Sequence, residues 1–155
     1  MNALWRGGLA LLLASAGQFL LTRYLPGLGE SVDLFTILVV YYAVTRRQMS
    51  VMLIGTSAGF IEDVFTGPIL GVNAFKKTLV GYLMGTLGSV FMLNQPLPRL
   101  GILFAATLLE AFTEVGLYLI LGQHAVLPSA GNLIRQGIGN GIWGALIFWI
   151  VAKMD

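Results

Sequence analysis

Residues 55 to 91 read GTSAGFIEDVFTGPILGVNAFKKTLVGYLMGTLGSVF, and this stretch decides the fold. It is apolar enough to sit in a bilayer, yet it carries Glu62, Asp63, Lys76 and Lys77 around a short Gly/Pro turn. Gly55, Gly59 and Asp63 recur at i, i+4 and i+8, one slowly drifting face of an α-helix. Beyond the turn, Lys77, Gly81, Gly85 and Gly88 recur on one face in the same way. A turn this short makes the two helices antiparallel neighbours, glycine face against glycine face. That geometry is expected to bring Asp63 to Lys77.

The whole chain shares this character. Of its 155 residues 57% are apolar and 10% charged, whereas a soluble domain carries about a quarter of its residues charged. Apolar runs between the charges reach spanning length, which predicts an integral membrane protein of one domain with almost no mass outside the bilayer. The absence of cysteine removes disulfide and thiol chemistry, and a single His124 builds no histidine metal cluster. A net charge of +2 is scattered between apolar runs and forms no patch for nucleic acid. No nucleophile–base set, phosphate-cradling loop or metal-ligand spacing is present, so neither a cofactor nor an enzymatic activity is expected.

The fold class expected is all-α, a compact bundle of six transmembrane helices at about 7–25, 33–46, 49–66, 74–93, 100–121 and 133–152. The first stretch, with Arg6 ahead of its leucines, looks like a signal peptide but reads as a retained first helix. Ser31 or Asp33 is the natural N-cap of the second run, which is short and extends itself through Arg46 and Gln48. A five-helix chain in which that run fails to span is the alternative. With six crossings both termini share a side. Arg6, Arg46, Arg47, Arg99 and Lys153 then face Arg23, Lys76, Lys77 and Arg135, which places the termini in the cytoplasm. Trp5 and Trp149 fall at that same interface.

Ionisable residues inside apolar helices are costly unless paired or hydrated. Glu62, Asp63, Glu110 and Glu114 are expected to meet Lys76, Lys77 and Arg135 in one polar cluster in the outer half of the bundle, with Asn73, Gln136 and Asn140 alongside. Four acids against three cations leave one carboxyl, Glu110 by position, neutral or open to a cavity. Glu62 and Asp63 lie about 100° apart on their helix and cannot serve one partner. Asp63 shares the glycine face and is the structural one of the two. The bland reading, that these charges fix helix register, outweighs a substrate or proton path about two to one. Small residues at Gly55/Gly59, Gly81/Gly85 and Gly137/Gly141 serve close helix packing. Ala10 and Ala14, on a helix without buried charge, form a possible partner face.

The run GFIEDVFTGPILGVNAFKKTLVGYL resembles the third and fourth helices of the MreD family, the rod shape-determining membrane proteins of bacteria. Gly59, Asp63, Leu70, Gly71, Ala74 and Tyr82 occupy that family's characteristic positions, and RQGIGNGIWGALIFW, from Arg135 to Trp149, is similar to its last helix. Where the family has Gly-Leu just ahead of the Asp, this chain has Ile61-Glu62. The resemblance implies a non-enzymatic scaffold of the cell-elongation machinery in the inner membrane. Such a scaffold binds single-span MreC and through it influences the transpeptidase and glycosyltransferase of lateral peptidoglycan synthesis, with MreB on the cytoplasmic side. The second reading is the substrate-binding component of an energy-coupling-factor vitamin transporter, which matches in size, helix number and Ala10-xxx-Ala14; a small proton-coupled transporter is the third.

Overall fold

The computed structural model describes residues 2–67, 69–88 and 96–154. These residues form α1 (Asn2–Tyr24), α2 (Pro26–Gly29), α3 (Leu34–Thr45), α4 (Gln48–Thr66), α5 (Val72–Gly88), α6 (Pro96–Ile120) and α7 (Ala130–Met154). Among the described residues there is no strand. Three segments, Pro26–Thr45, Gln48–Thr66 and Leu97–Ile120, are long and apolar enough to cross a membrane. The expected fourth helix extends to 93; α5 is described to Gly88, and 89–95 lie outside the described residues.

The short second run sits at the centre. Its 12 residues make α3 only about 18 Å long, and Phe35, Thr36, Ile37, Val39 and Val40 are buried around its circumference. A helix covered on all sides belongs in a core rather than at its edge. Val40 joins Val51, Val80, Met84, Leu103, Ala106 and Phe148 in the main apolar cluster. Val39 and Phe35 join Ala14 and Ala58 in a second one. Ala14 is therefore buried inside the bundle, with Ala10 packed against the main cluster, and the Ala10/Ala14 face looks inward.

Length missing from α3 is made up at its N-terminal end by α2 and the non-helical residues 30–33, so that Pro26–Thr45 together reaches spanning length. Bare backbone within an apolar bundle needs hydrogen-bond partners. Gln18 of α1 supplies two, its Nε2 donating to Val32 O at 3.2 Å while its Oε1 accepts from the Leu34 amide at 2.9 Å. Asn140 of α7 supplies a third, Oδ1 accepting from the Asp33 amide at 2.7 Å. Its Nδ2 donates to Thr107 of α6 at 2.9 Å, so one fully buried amide ties three elements together.

Small residues set how closely the helices approach. A Cβ on Gly55 would lie 2.7 Å from Lys77 O, and one on Gly59 would enter the backbone of Asn73 and Ala74. The α4 glycines thus rest on the α5 backbone, not on the α5 glycines. Gly81 instead receives the side chains of Val51 and Val39, and Gly85 lies beside Ala43 O of α3. The physical reason is stagger: a glycine facing a glycine leaves a gap, whereas a glycine facing a valine or a main chain fills space. Between α6 and α7 the same rule places Phe104 on Gly137, Leu100 on Gly141 and Leu103 on Gly144.

Candidate functional site

The polar cluster lies at the end of the bundle formed by residues 25–33, 69–71 and 121–129, away from the chain termini. Its centre is Lys77, the largest fully buried side chain among the described residues. An ammonium carries three hydrogens. All three are engaged: Nζ donates to Asp33 Oδ2 at 2.7 Å, to Thr36 Oγ1 at 2.9 Å and to Glu110 Oε1 at 3.3 Å. Glu62 Oε2 stands 3.0 Å from the same nitrogen yet receives no hydrogen bond. Glu62 therefore gains the Coulombic attraction of Lys77 without a directed contact. Lys76, one residue earlier and rotated about 100°, pairs with Glu114 of α6.

Asp33 performs two tasks with two oxygens. Its Oδ1 accepts from the Phe35 and Thr36 amides at 2.9 and 3.1 Å, the N-cap geometry of α3. Its Oδ2 takes Lys77 and also accepts from the Thr36 hydroxyl at 2.6 Å. Thr36 in turn lies 2.8 Å from both Glu110 oxygens. The cluster so joins the start of α3 to α4, α5 and α6.

Asp63 does not meet Lys77, contrary to the sequence expectation. Its carboxylate accepts the Gly71 amide at 2.8 Å, the Asn73 amide at 3.0 Å and the Ala74 amide at 3.2 Å. The reason is position. Asp63 lies in the last turns of α4, level with the first turn of α5, whereas Lys77 lies more than a turn further into the bundle. Gly71 stands where α5 would carry its cap, has no side chain to offer and adopts φ +99°, a conformation that favours glycine. Asp63 supplies the missing cap from the preceding helix, beside the positive end of the α5 dipole.

Arg135 also departs from expectation. It reaches Glu30 at 3.0 Å on the exposed surface and takes no part in the cluster. An exposed residue of the last helix has a long solvated side chain and an acid close by, and nothing draws it inward. Asp33 takes its place among the charged members, an acid whose signal in the sequence was only that of a helix cap. Thr36 and Gln18 carried weaker signals still, as single polar residues in apolar runs.

Beside these side chains lies a cavity of about 250 Å³, lined among others by Asp33, Glu62, Lys76, Glu110, Glu114 and Gln136. Four carboxylates face two lysines in the cluster, so its inner surface is acidic. Among the described residues no group of histidine and acidic side chains has the arrangement of a metal site. Nor do hydroxyl, imidazole and carboxylate come together there as a nucleophile and its base, His124 lying in the non-helical segment 121–129. The arrangement can hold helices in register and receive a polar or cationic group.

An all-helical bundle with helices of membrane length and buried, paired charges is the build of a helical membrane protein. The sequence model of the family described as rod shape-determining protein MreD matches residues 28–154, and the chain belongs to that family. No curated protein and no solved structure matches the chain.

Proposed function

We propose that this chain is a non-enzymatic scaffold of the bacterial cell-elongation machinery, built of six membrane crossings in the inner membrane with both termini in the cytoplasm. It binds the single membrane span of MreC. Through MreC it helps control the transpeptidase and glycosyltransferase of lateral peptidoglycan synthesis, with MreB filaments beneath. The family match over residues 28–154 carries this reading. Its physical support is the shortage of material outside the helices: the longest described connection is 121–129, too little for a catalytic module, so action must pass through helix faces. Cysteine-crosslinking scans between the MreC span and each helix of the bundle test it, and a complete scan without contact overturns it.

The acidic cavity favours a second reading, a ligand-binding component like that of the energy-coupling-factor vitamin transporters. Copurification separates the two. A bound small molecule supports transport, and a bound single-span protein supports scaffolding.

A further inference from the structure

A second cavity, of about 500 Å³, opens between α1, α3 and α7 at the end of the bundle that carries the chain termini and narrows towards Ala14 and Leu34. Its lining is apolar along most of its length: Ala10 and Leu13 from α1, Ile37 and Leu38 from α3, Ile147 and Val151 from α7. Two arginines, Arg6 and Arg46, complete it. Helices α1 and α3 run antiparallel, so the start of one and the end of the other bring both guanidinium groups to a single mouth.

We propose that this groove is a binding site for one anionic phospholipid of the leaflet on the side of the chain termini, with its phosphate at Arg6 and Arg46 and an acyl chain along α3. Depth selects this occupant. From Arg6 to Ala14 the groove follows α1 for eight residues, about 12 Å, and from Arg46 to Leu34 it follows α3 for twelve, about 18 Å, which brackets one leaflet of a hydrocarbon core about 30 Å thick. A partner's transmembrane helix needs contact through both leaflets. Charge selects the headgroup: guanidinium binds phosphate oxygens in a planar fork, and basic pockets between membrane helices take anionic lipid heads. The burial of Ala14 under Phe35, Val39 and Ala58 closes the inner end of the groove. The small side chains at Ala10 and Ala14 are what leave room there.

The test is native mass spectrometry of the full chain, freed of lipid in mild detergent and then offered phosphatidylglycerol or phosphatidylcholine. Each arginine near an anionic headgroup is worth about a factor of five, so the pair predicts about a thirtyfold preference for phosphatidylglycerol. The double variant Arg6→Gln/Arg46→Gln loses that preference, and Arg23→Gln at the other end of α1 keeps it. Ala10→Phe lowers retention of both lipids while leaving the arginines in place; circular dichroism checks that each variant is folded. Wild-type protein without headgroup preference overturns the proposal, and that measurement needs no variant. So does an equal loss in Arg23→Gln. Crosslinking of Leu13→Cys to a copurified single-span protein, with no lipid retained, assigns the groove to a partner helix and also overturns it.

Discussion

Lys77 stands 2.7 Å from Asp33, a residue that caps α3 with its other carboxylate oxygen. The same acid therefore fixes where the central helix begins and which lysine it meets. An ammonium buried without its acids, or acids without their ammonium, would carry a large desolvation cost.

Replacing Lys77 by Met removes the one cation that Asp33, Glu110 and Glu62 share. Breaking a buried ion pair from one side costs about 3–5 kcal/mol, so Lys77→Met is expected to unfold well below the wild type in detergent, followed by circular dichroism. Lys77→Arg gives only partial rescue, because a planar guanidinium does not reproduce the three hydrogens that Nζ directs at Asp33, Thr36 and Glu110. The double variant Lys77→Met/Asp33→Asn recovers part of the loss. Additive losses in the two single variants would show that the pair is not coupled.

Asp63→Ala leaves the Gly71, Asn73 and Ala74 amides without their acceptor. One helix cap is worth about 0.5–2 kcal/mol, and a carboxylate serving three amides belongs at the top of that range. Asn at this position keeps one acceptor oxygen and falls between. Thermal unfolding measures the loss, and faster proteolysis between residues 67 and 72 locates it. An unchanged cleavage rate there would exclude Asp63 as the element that orders this turn.

Asn140→Leu removes the acceptor of the Asp33 amide and the donor to Thr107. Leaving a buried polar group without its partner costs about 1–3 kcal/mol. Hydrogen exchange of the Asp33 amide is expected to rise in this variant, with α4 amides unaffected. Equal exchange across the bundle would mean global loosening instead.

The all-helical class was legible because long apolar runs separated by Gly, Pro and Arg leave few alternatives, and residue type narrowed the α3 cap to Ser31 or Asp33, of which the fold uses Asp33. The cluster was legible in part. Acids and lysines in apolar helices announce that they meet, but not in what pairs. Asp63 and Lys77 each lie on the glycine face of their own helix by periodicity, yet the Gly71, Asn73 and Ala74 amides reach Asp63 and no lysine does, and backbone donors have no sequence signature. Arg135 was misplaced for a related reason. Periodicity gives a residue's angle around its helix and says little of how deep its long side chain reaches. Gln18 and Asn140 answer the non-helical residues 30–33 ahead of α3; the cap marked where that helix begins, but no pattern displays which side chains from other helices satisfy the backbone there.

Glycine substitutions separate packing from conformational entropy. Gly59→Ala places a methyl group against the backbone of Asn73 and Ala74, which can yield only if α4 and α5 move apart. Overpacking of this kind costs about 1–3 kcal/mol, and here it also withdraws Glu62 and Asp63 from their partners. A methyl group added at Gly116, in α6, would meet no atom within 4 Å, and the backbone there is helical. Gly116→Ala should therefore raise stability by about 0.5–1 kcal/mol, the ordinary helix preference of alanine over glycine. Gly85→Ala, with a neighbour at 3.5 Å, falls between these two. The order of unfolding temperatures across the three variants is the measurement. If Gly59→Ala proved as stable as Gly116→Ala, the close seating of α4 on α5 would not be what holds the acidic cluster together.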